Sequence, residues 1–199
     1  EELAQAYLDA EKGVETVDDA LAGASDIIAE TISDDASIRK ALRALMQKQA
    51  VLRVTAVKGK EEETSPYQTY YDFTQPVAKL QGHQVLAVNR GEREGFLKAE
   101  IELDREQALV RVRRAVLIPG GGATAFVRAA AEDAYDRLIA PSMERELRSA
   151  LTDEANEGAI HNFALNLRPL LMQPPVRGRV TMGLDPGYSH GCKVAVVDA

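Results

Sequence analysis

Apolar residues recur every three or four positions over the first 57 residues and again from residue 124 to residue 171. This spacing places them on one face of an α-helix, so both stretches are predicted to form amphipathic helices. Thr16 opens a Thr-Val-Asp-Asp sequence of the type that caps a helix, and a second helix is predicted to follow Ser33. Pro174 and Pro175 end the last helix, because proline cannot continue one. The pattern predicts a mainly α-helical fold.

Between residues 85 and 118 the apolar pattern changes to alternation, which is the period of a β-strand. Turn residues separate the alternating runs, so we predict a small antiparallel sheet with strands at 85–88, 97–103 and 109–118. Arg111 and Arg113 are then expected to share one face of the third strand, with Arg114 opposite. Such a pair could contact phosphate, but ion pairing with nearby acidic residues is the commoner outcome, and the sequence does not decide between the two.

These patterns and their breaks divide the chain into four regions. We predict a helical region at 1–57, a connector with the small antiparallel sheet at 58–122, a second helical region at 123–175, and the first strands of a further domain at 176–199. The chain begins without methionine and ends directly after an apolar run. We therefore expect it to be an internal fragment of a longer protein.

Charge and cysteine content limit the classes of function. A net charge of −7 and a pI near 5.1 argue against a chain that clamps phosphates over its whole surface, although local basic patches stay open. The second predicted helix carries Arg39, Lys40, Arg43 and Lys48. These side chains either form a solvated face, the favoured interpretation, or contact nucleic acid. A single cysteine, Cys192, and the lack of a signal peptide or a membrane-length apolar run predict a cytoplasmic protein with no membrane partner.

Asp185 is the residue that invites a catalytic interpretation. It follows the run Val180–Leu184 and precedes Pro186 and Gly187, so it ends the first strand of a predicted hairpin. A carboxylate there could hold Mg²⁺, but two-metal hydrolysis requires several carboxylates and one aspartate cannot supply them. Asp-Pro-Gly is also typical of a turn. Asp185 is therefore a latent catalytic and metal-binding candidate only.

Several short stretches resemble signatures of the bacterial Tex family and occur in the same order. They are Tyr70-Tyr71-Asp72-Phe73, Asn89-Arg90-Gly91-Glu92, Asp136-Arg137-Leu138, Ala140-Pro141-Ser142, Asn166-Leu167-Arg168-Pro169-Leu170-Leu171 and Gly183-Leu184-Asp185-Pro186-Gly187-Tyr188. The last stretch, with Gly191-Cys192-Lys193 after it, is similar to the opening of the Tex YqgF domain. Each match is short, but they occur in order between residues 70 and 193.

The Tex resemblance implies a longer nucleic-acid-binding, and specifically RNA-binding, transcription accessory protein. Its parts would include a YqgF domain of the RuvC-like, RNase H-like fold, which the hairpin at 176–199 would open. RNA or DNA, and the transcription machinery, would be bound by domains outside this chain, so this segment would act as a scaffold without a cofactor. The alternative is a Mg²⁺-dependent nuclease in the longer protein, with Asp185 as its first ligand. The candidate positions for contact with nucleic acid are Arg111, Arg113, Arg177 and Arg179.

Overall fold

The computed structural model describes residues 4–118, 120–174, 178–187, 189 and 191–198. The α-helices of this described part are α1 (Val17–Asp34), α2 (Ala36–Gln49), α3 (Gly82–Arg93), α4 (Arg105–Val116), α5 (Thr124–Asp133) and α6 (Ala140–Leu171). A π-helical segment, Ala134–Ile139, lies between α5 and α6. The β-strands of the described part are β1 (Val51–Ala56), β2 (Asp72–Pro76), β3 (Leu97–Glu102), β4 (Thr181–Asp185) and β5 (Lys193–Val197). The chain divides into a first unit, Glu1–Glu157, and a second unit, Gly158–Ala199.

The predicted start of α1 is confirmed by its cap. The Thr16 amide donates to Asp19 Oδ2 at 2.9 Å, and the Asp19 amide donates to Thr16 Oγ1 at 3.1 Å. This reciprocal pair satisfies two amides that a helix start otherwise leaves without partners. Asp35 then caps α2 by accepting from the amides of Ser37 and Ile38 at 2.7 and 3.0 Å. The two helices therefore follow each other directly, as the sequence predicts.

The predicted small antiparallel sheet is present in the first unit, but two of its three strands lie elsewhere. The strand order is β2-β1-β3, with Val54 of β1 opposite Phe73 of β2 and Ala99 of β3. Of the predicted strands, only 97–103 is correct, as β3. β1 lies inside the stretch predicted to be helical, and β2 lies in the predicted connector.

The two other predicted strands are helices, and this part of the prediction is wrong. Residues 85–88 belong to α3, and most of 109–118 belongs to α4. Asp104 begins α4 as its cap, accepting from the Gln107 amide at 3.1 Å, and Leu109 and Val112 are then buried at helical spacing. On a helix, Arg111 and Arg113 are roughly 200° apart, so they do not share a face.

Two hydrophobic clusters form the interior of the first unit. The larger joins α1, α2, α4, α5, the π-helical segment and the start of α6, and includes the fully buried Leu42, Leu109 and Ile139. The smaller lies between the sheet and α3 and includes Val54 and Val88, both 0% exposed. Most elements of this unit therefore contribute buried apolar side chains to one of the two clusters.

The outer edge of β3 is covered by two helices. The Ala99 amide donates to Glu92 Oε1 of α3 at 3.0 Å, and the Ile101 amide donates to Glu144 Oε1 of α6 at 3.1 Å. An edge strand normally leaves such amides free to pair with another strand. Here glutamate side chains take the place of that strand.

The second unit contains the end of α6 and a hairpin of β4 and β5, in which Asp185 lies opposite Lys193. Its large apolar side chains are exposed; Met182 is 60% and Leu184 is 57% accessible. A two-stranded hairpin occurs in many folds, so the RNase H-like assignment stays a prediction. No helix of the described residues has the length and apolar character needed to cross a membrane.

Candidate functional site

Asp185 lies where the sequence predicts, at the exposed end of β4. A metal site needs further ligands, yet the described residues contain no group of three or more His, Cys, Asp or Glu side chains that could hold a metal ion. A two-metal centre requires several carboxylates, and the described residues do not gather them around Asp185. Its catalytic and metal-binding roles stay predictions.

Within the described part of the chain, the arginines predicted to contact nucleic acid do not form one site. Arg111 is exposed on α4 and donates only to its own helix, at the Gln107 carbonyl oxygen (2.9 Å). Arg113 is largely buried and binds Glu132 at 2.6 Å and Glu106 at 3.0 Å. Hydrogen bonding to Glu132 raises the pKa of Arg113 above its ordinary value. Arg113 therefore follows the ion-pair alternative that the sequence left open.

Arg179 lies in the second unit, exposed just before β4, whereas Arg111 and Arg113 belong to the first unit. Arg177 lies outside the described residues. No hydrogen bond or ion pair within the described part of the chain involves the Arg179 side chain. Contact with nucleic acid at these positions stays a prediction.

The Asn-Arg-Gly-Glu signature joins α3 to α6. Asn89 Nδ2 donates to Thr152 Oγ1 at 2.9 Å, and Arg148 Nη2 donates to Asn89 Oδ1 at 3.1 Å. Arg148 also forms an ion pair with Glu92, and both side chains are less than one-third exposed. Because Glu92 in turn accepts from β3, the signature ties two helices and the sheet together. Its polar residues therefore help to hold the fold, and Asn89 and Glu92 also line a shallow depression of about 350 Å³.

The Asp-Arg-Leu signature has the same character. Asp136, in the π-helical segment, binds Arg105 of α4 at 2.7 Å. Arg137 binds Asp133 at 2.7 Å and Asp26 of α1 at 2.6 Å. The hydrogen bond from Arg105 lowers the pKa of Asp136 below its ordinary value. These pairs connect α1, α4 and the end of α5, so this signature also stabilises the interior arrangement.

A cleft of about 820 Å³ opens in the first unit between α2, the sheet and the start of α6. Tyr135 lines it with 7% of its surface exposed, and its hydroxyl forms no hydrogen bond with another described residue. Burial raises the pKa of Tyr135 above its ordinary value. Leu42, Met46 and Met143 supply an apolar lining. No local sequence pattern predicts this cleft, since its walls come from segments about 100 residues apart.

Acidic and basic residues of the first unit are concentrated on different helices, a distribution that the net charge of the chain does not reveal. α1 contains five acidic residues and neither lysine nor arginine, whereas α2 contains four cations and no acidic residue. α4, which packs against α2, carries four arginines and one glutamate. The cations of α2 are visible in the sequence, but Arg111, Arg113 and Arg114 were predicted to lie on a strand. The packing of two cation-rich helices against each other was therefore missed.

Comparison with known proteins gives a consistent assignment. The Tex central region-like family matches residues 1–163. The chain is 40% identical over 197 residues to protein YdcI of Bacillus subtilis, which covers 98% of this chain and 27% of that protein. It is 32% identical over 206 residues to the transcriptional accessory protein Tex of Neisseria gonorrhoeae, covering 100% of this chain and 27% of that protein.

A human protein is similar to the chain as well. S1 RNA-binding domain-containing protein 1 of Homo sapiens is 32% identical over 200 residues, covering 94% of this chain and 20% of that protein. The chain thus spans between 20% and 27% of the length of these relatives.

Proposed function

The chain belongs to the Tex central region-like family, and from this membership we propose that it is the scaffold segment of a nucleic-acid-binding transcription accessory protein. The names of two relatives, transcriptional accessory protein Tex and S1 RNA-binding domain-containing protein 1, support binding of nucleic acid and favour RNA. In this proposal the protein works in the cytoplasm, and other domains bind RNA or DNA and the transcription machinery.

The observation that carries the scaffold role is how the family's signature residues are used. Glu92 and Arg148 bind each other across α3 and α6, and Asp136 and Arg137 bind α4 and α1. These residues direct their polar groups at neighbouring elements, which is the arrangement expected of a rigid spacer between domains. Glu92 and Arg148 also line a shallow depression of about 350 Å³, where each already has the other as a partner.

The proposal is tested by comparing two proteins for RNA affinity. One is the 199-residue chain, and the other is a longer protein that contains this chain and has the full length of its relatives. At physiological salt, we expect the 199-residue chain to bind a single-stranded RNA at least about 100-fold more weakly, because the chain has a net charge of −7. Fluorescence anisotropy measures both affinities. Equal affinities would show that this segment binds RNA by itself and would overturn the scaffold role.

The competing function is a Mg²⁺-dependent nuclease, supported by the position of Asp185 at the end of β4. Asp185→Asn in the full-length protein should leave RNA affinity unchanged, with no cleavage in either form. Asp153→Asn, an exposed change on α6, controls for the loss of one charge. Cleavage that requires Mg²⁺ and disappears only in the Asp185 variant would establish the nuclease instead.

A further inference from the structure

The eight cations of α2 and α4 fall into two groups with different surroundings. Four of them bind side chains or backbone of other elements in the first unit: Arg39, Arg43, Arg105 and Arg113. The other four are exposed and form no ion pair with another described residue: Lys40, Lys48, Arg111 and Arg114. Of these four, Arg111 donates to the Gln107 carbonyl oxygen of its own helix. We name these four side chains the basic face. A chain with 31 acidic residues could neutralise them, but the described fold does not.

The positions on the basic face follow from how the two helices are buried. Leu42 and Leu45 of α2 and Leu109 and Val112 of α4 enter the same hydrophobic cluster, and the helices contact each other. Each helix therefore turns its opposite side to solvent. Lys40 lies almost directly opposite the buried side of α2. Arg111 and Arg114 are three residues apart, which places them on neighbouring positions of one side of α4.

The dimensions of the basic face suit an extended polyanion. Eight residues separate Lys40 from Lys48, which corresponds to roughly 12 Å along α2. One strand of a duplex carries a phosphate about every 3.4 Å along the helix axis, so this length matches roughly three or four phosphates. Between the lysines, the exposed Ala41 and Ala44 are small and allow close approach.

The acidic residues of these two helices do not oppose this use. α2 contains no aspartate or glutamate, and the only acidic residue of α4, Glu106, is bound by Arg105 and Arg113. α2 and α4 also contain no aromatic residue on which a base could stack. The chemistry offered is therefore positive charge without a means of distinguishing bases.

We propose that Lys40, Lys48, Arg111 and Arg114 form a phosphate-binding face that contacts the sugar-phosphate backbone of nucleic acid without reading its sequence. This inference rests on the proposed function, because an acidic protein segment would meet the same charges. It adds a second, weaker contact to the RNA held by the other domains. The segment then guides the nucleic acid while its remaining surface stays acidic.

The test replaces the face and compares it with a matched control. The face variant of the 199-residue chain carries Lys40→Gln, Lys48→Gln, Arg111→Gln and Arg114→Gln. The control variant carries Lys58→Gln, Arg128→Gln, Arg145→Gln and Arg168→Gln. The four residues replaced in the control are also exposed and form no ion pair among the described residues, and their replacement lowers the net charge equally. The probe is a polyuridine RNA of about 20 nucleotides, titrated from low to physiological salt.

We expect the face variant to bind at least about tenfold more weakly than the parent chain at low salt, and the control variant to lose no more than about twofold. The slope of log affinity against log salt should decrease in magnitude by up to about 3, since each phosphate contact on a single strand contributes roughly 0.7. Circular dichroism should be the same for all three chains, because the changed residues are exposed.

Equal losses in the two variants would show a general charge effect and overturn the basic face. Unchanged binding by the face variant, or no binding by the parent chain at low salt, would do the same. Tighter binding of a polyglutamate peptide than of the RNA would assign the face to an acidic protein partner. If the full-length protein also fails to bind RNA, the proposed function fails; if only the chain fails, the basic face alone does.

Discussion

The two units of this chain contain similar apolar residues, but these side chains differ in how far they are exposed to solvent. In the first unit Leu109 is 0% exposed within a cluster drawn from five helices and the π-helical segment. In the second unit Leu184 is 57% exposed on a hairpin strand. The first unit is therefore stabilised by the burial of its own apolar side chains. The hairpin of the second unit is held mainly by backbone pairing, since the contacts among the described residues leave its apolar side chains in solvent.

The same substitution in both units is the most direct way to break this comparison. Leu109→Ala should lower the free energy of unfolding by about 2–5 kcal/mol, because it removes buried apolar surface and leaves a cavity. Leu184→Ala should change it by less than about 0.5 kcal/mol, as expected for an exposed position. Urea denaturation followed by circular dichroism measures both. Losses of equal size would contradict the difference between the units.

A glycine pair tests how closely the first unit is packed. A Cβ at Gly91, in the Asn-Arg-Gly-Glu signature, would lie 2.5 Å from Leu97 Cδ1 and 3.2 Å from Tyr67 Cδ1. Both neighbours are buried, so Gly91→Ala should cost about 1–3 kcal/mol from overpacking, more than the roughly 0.5–1 kcal/mol that alanine gains in a helix.

The matched control for that glycine is in α1. A Cβ at Gly23 would meet nothing within 4 Å, so Gly23→Ala should stabilise the chain by about 0.5–1 kcal/mol. The two substitutions therefore have opposite predicted signs, which thermal unfolding distinguishes. A stabilising Gly91→Ala would show that Leu97 and Tyr67 move aside easily.

The smallest expected effect is the pH dependence of the ion pairs in the first unit. Arg105 lowers the pKa of Asp136 below its value of 3.8 in an unfolded chain. A lowered pKa means that this stabilisation is fully present above the unfolded value and is lost as the pH falls through the folded one. Other carboxylates in the first unit with a lowered pKa are Asp19, Asp35, Glu94, Asp104 and Glu146.

We therefore expect the urea midpoint of the chain to fall as the pH decreases below about 4, and Asp136→Asn to reduce this dependence. The variant should be less stable than the parent chain near neutral pH, and the gap should narrow in acid. A constant gap between pH 2 and pH 6 would indicate that the Arg105 pair does not contribute through its charge.

Local signals predicted the parts of the fold that local contacts determine. The Thr16 cap and the hairpin at Asp185 were correct because each depends on residues within a few positions. Residues 109–118 were assigned wrongly because alternating arginines and valines fit a strand as well as a helix. The Asp104 cap, which selects the helix, lies before that window. β1 was missed because its pairing partners lie about 20 and 50 residues away.

The candidate site was harder to predict for the same reason. The sequence shows every cation but not which ones are neutralised. Arg43 binds Glu146 across 103 positions, and Arg113 binds Glu132 across 19. Only the fold separates these structural arginines from Lys40 and Lys48, which have no such partner among the described residues. The helical conformation of α4 then brings Arg111 and Arg114 onto one side.

The two glutamates that bind the outer edge of β3, one from α3 and one from α6, also limit how copies of this chain can pair with one another. Glu92 and Glu144 occupy the outward amides of Ala99 and Ile101, so another molecule cannot add a strand at that edge without displacing both. The opposite edge strand, β2, ends at Pro76, which has no amide hydrogen to offer. The sheet is therefore closed to growth at β3 and shortened at β2. Strand addition by another molecule is therefore expected at β2 rather than at β3.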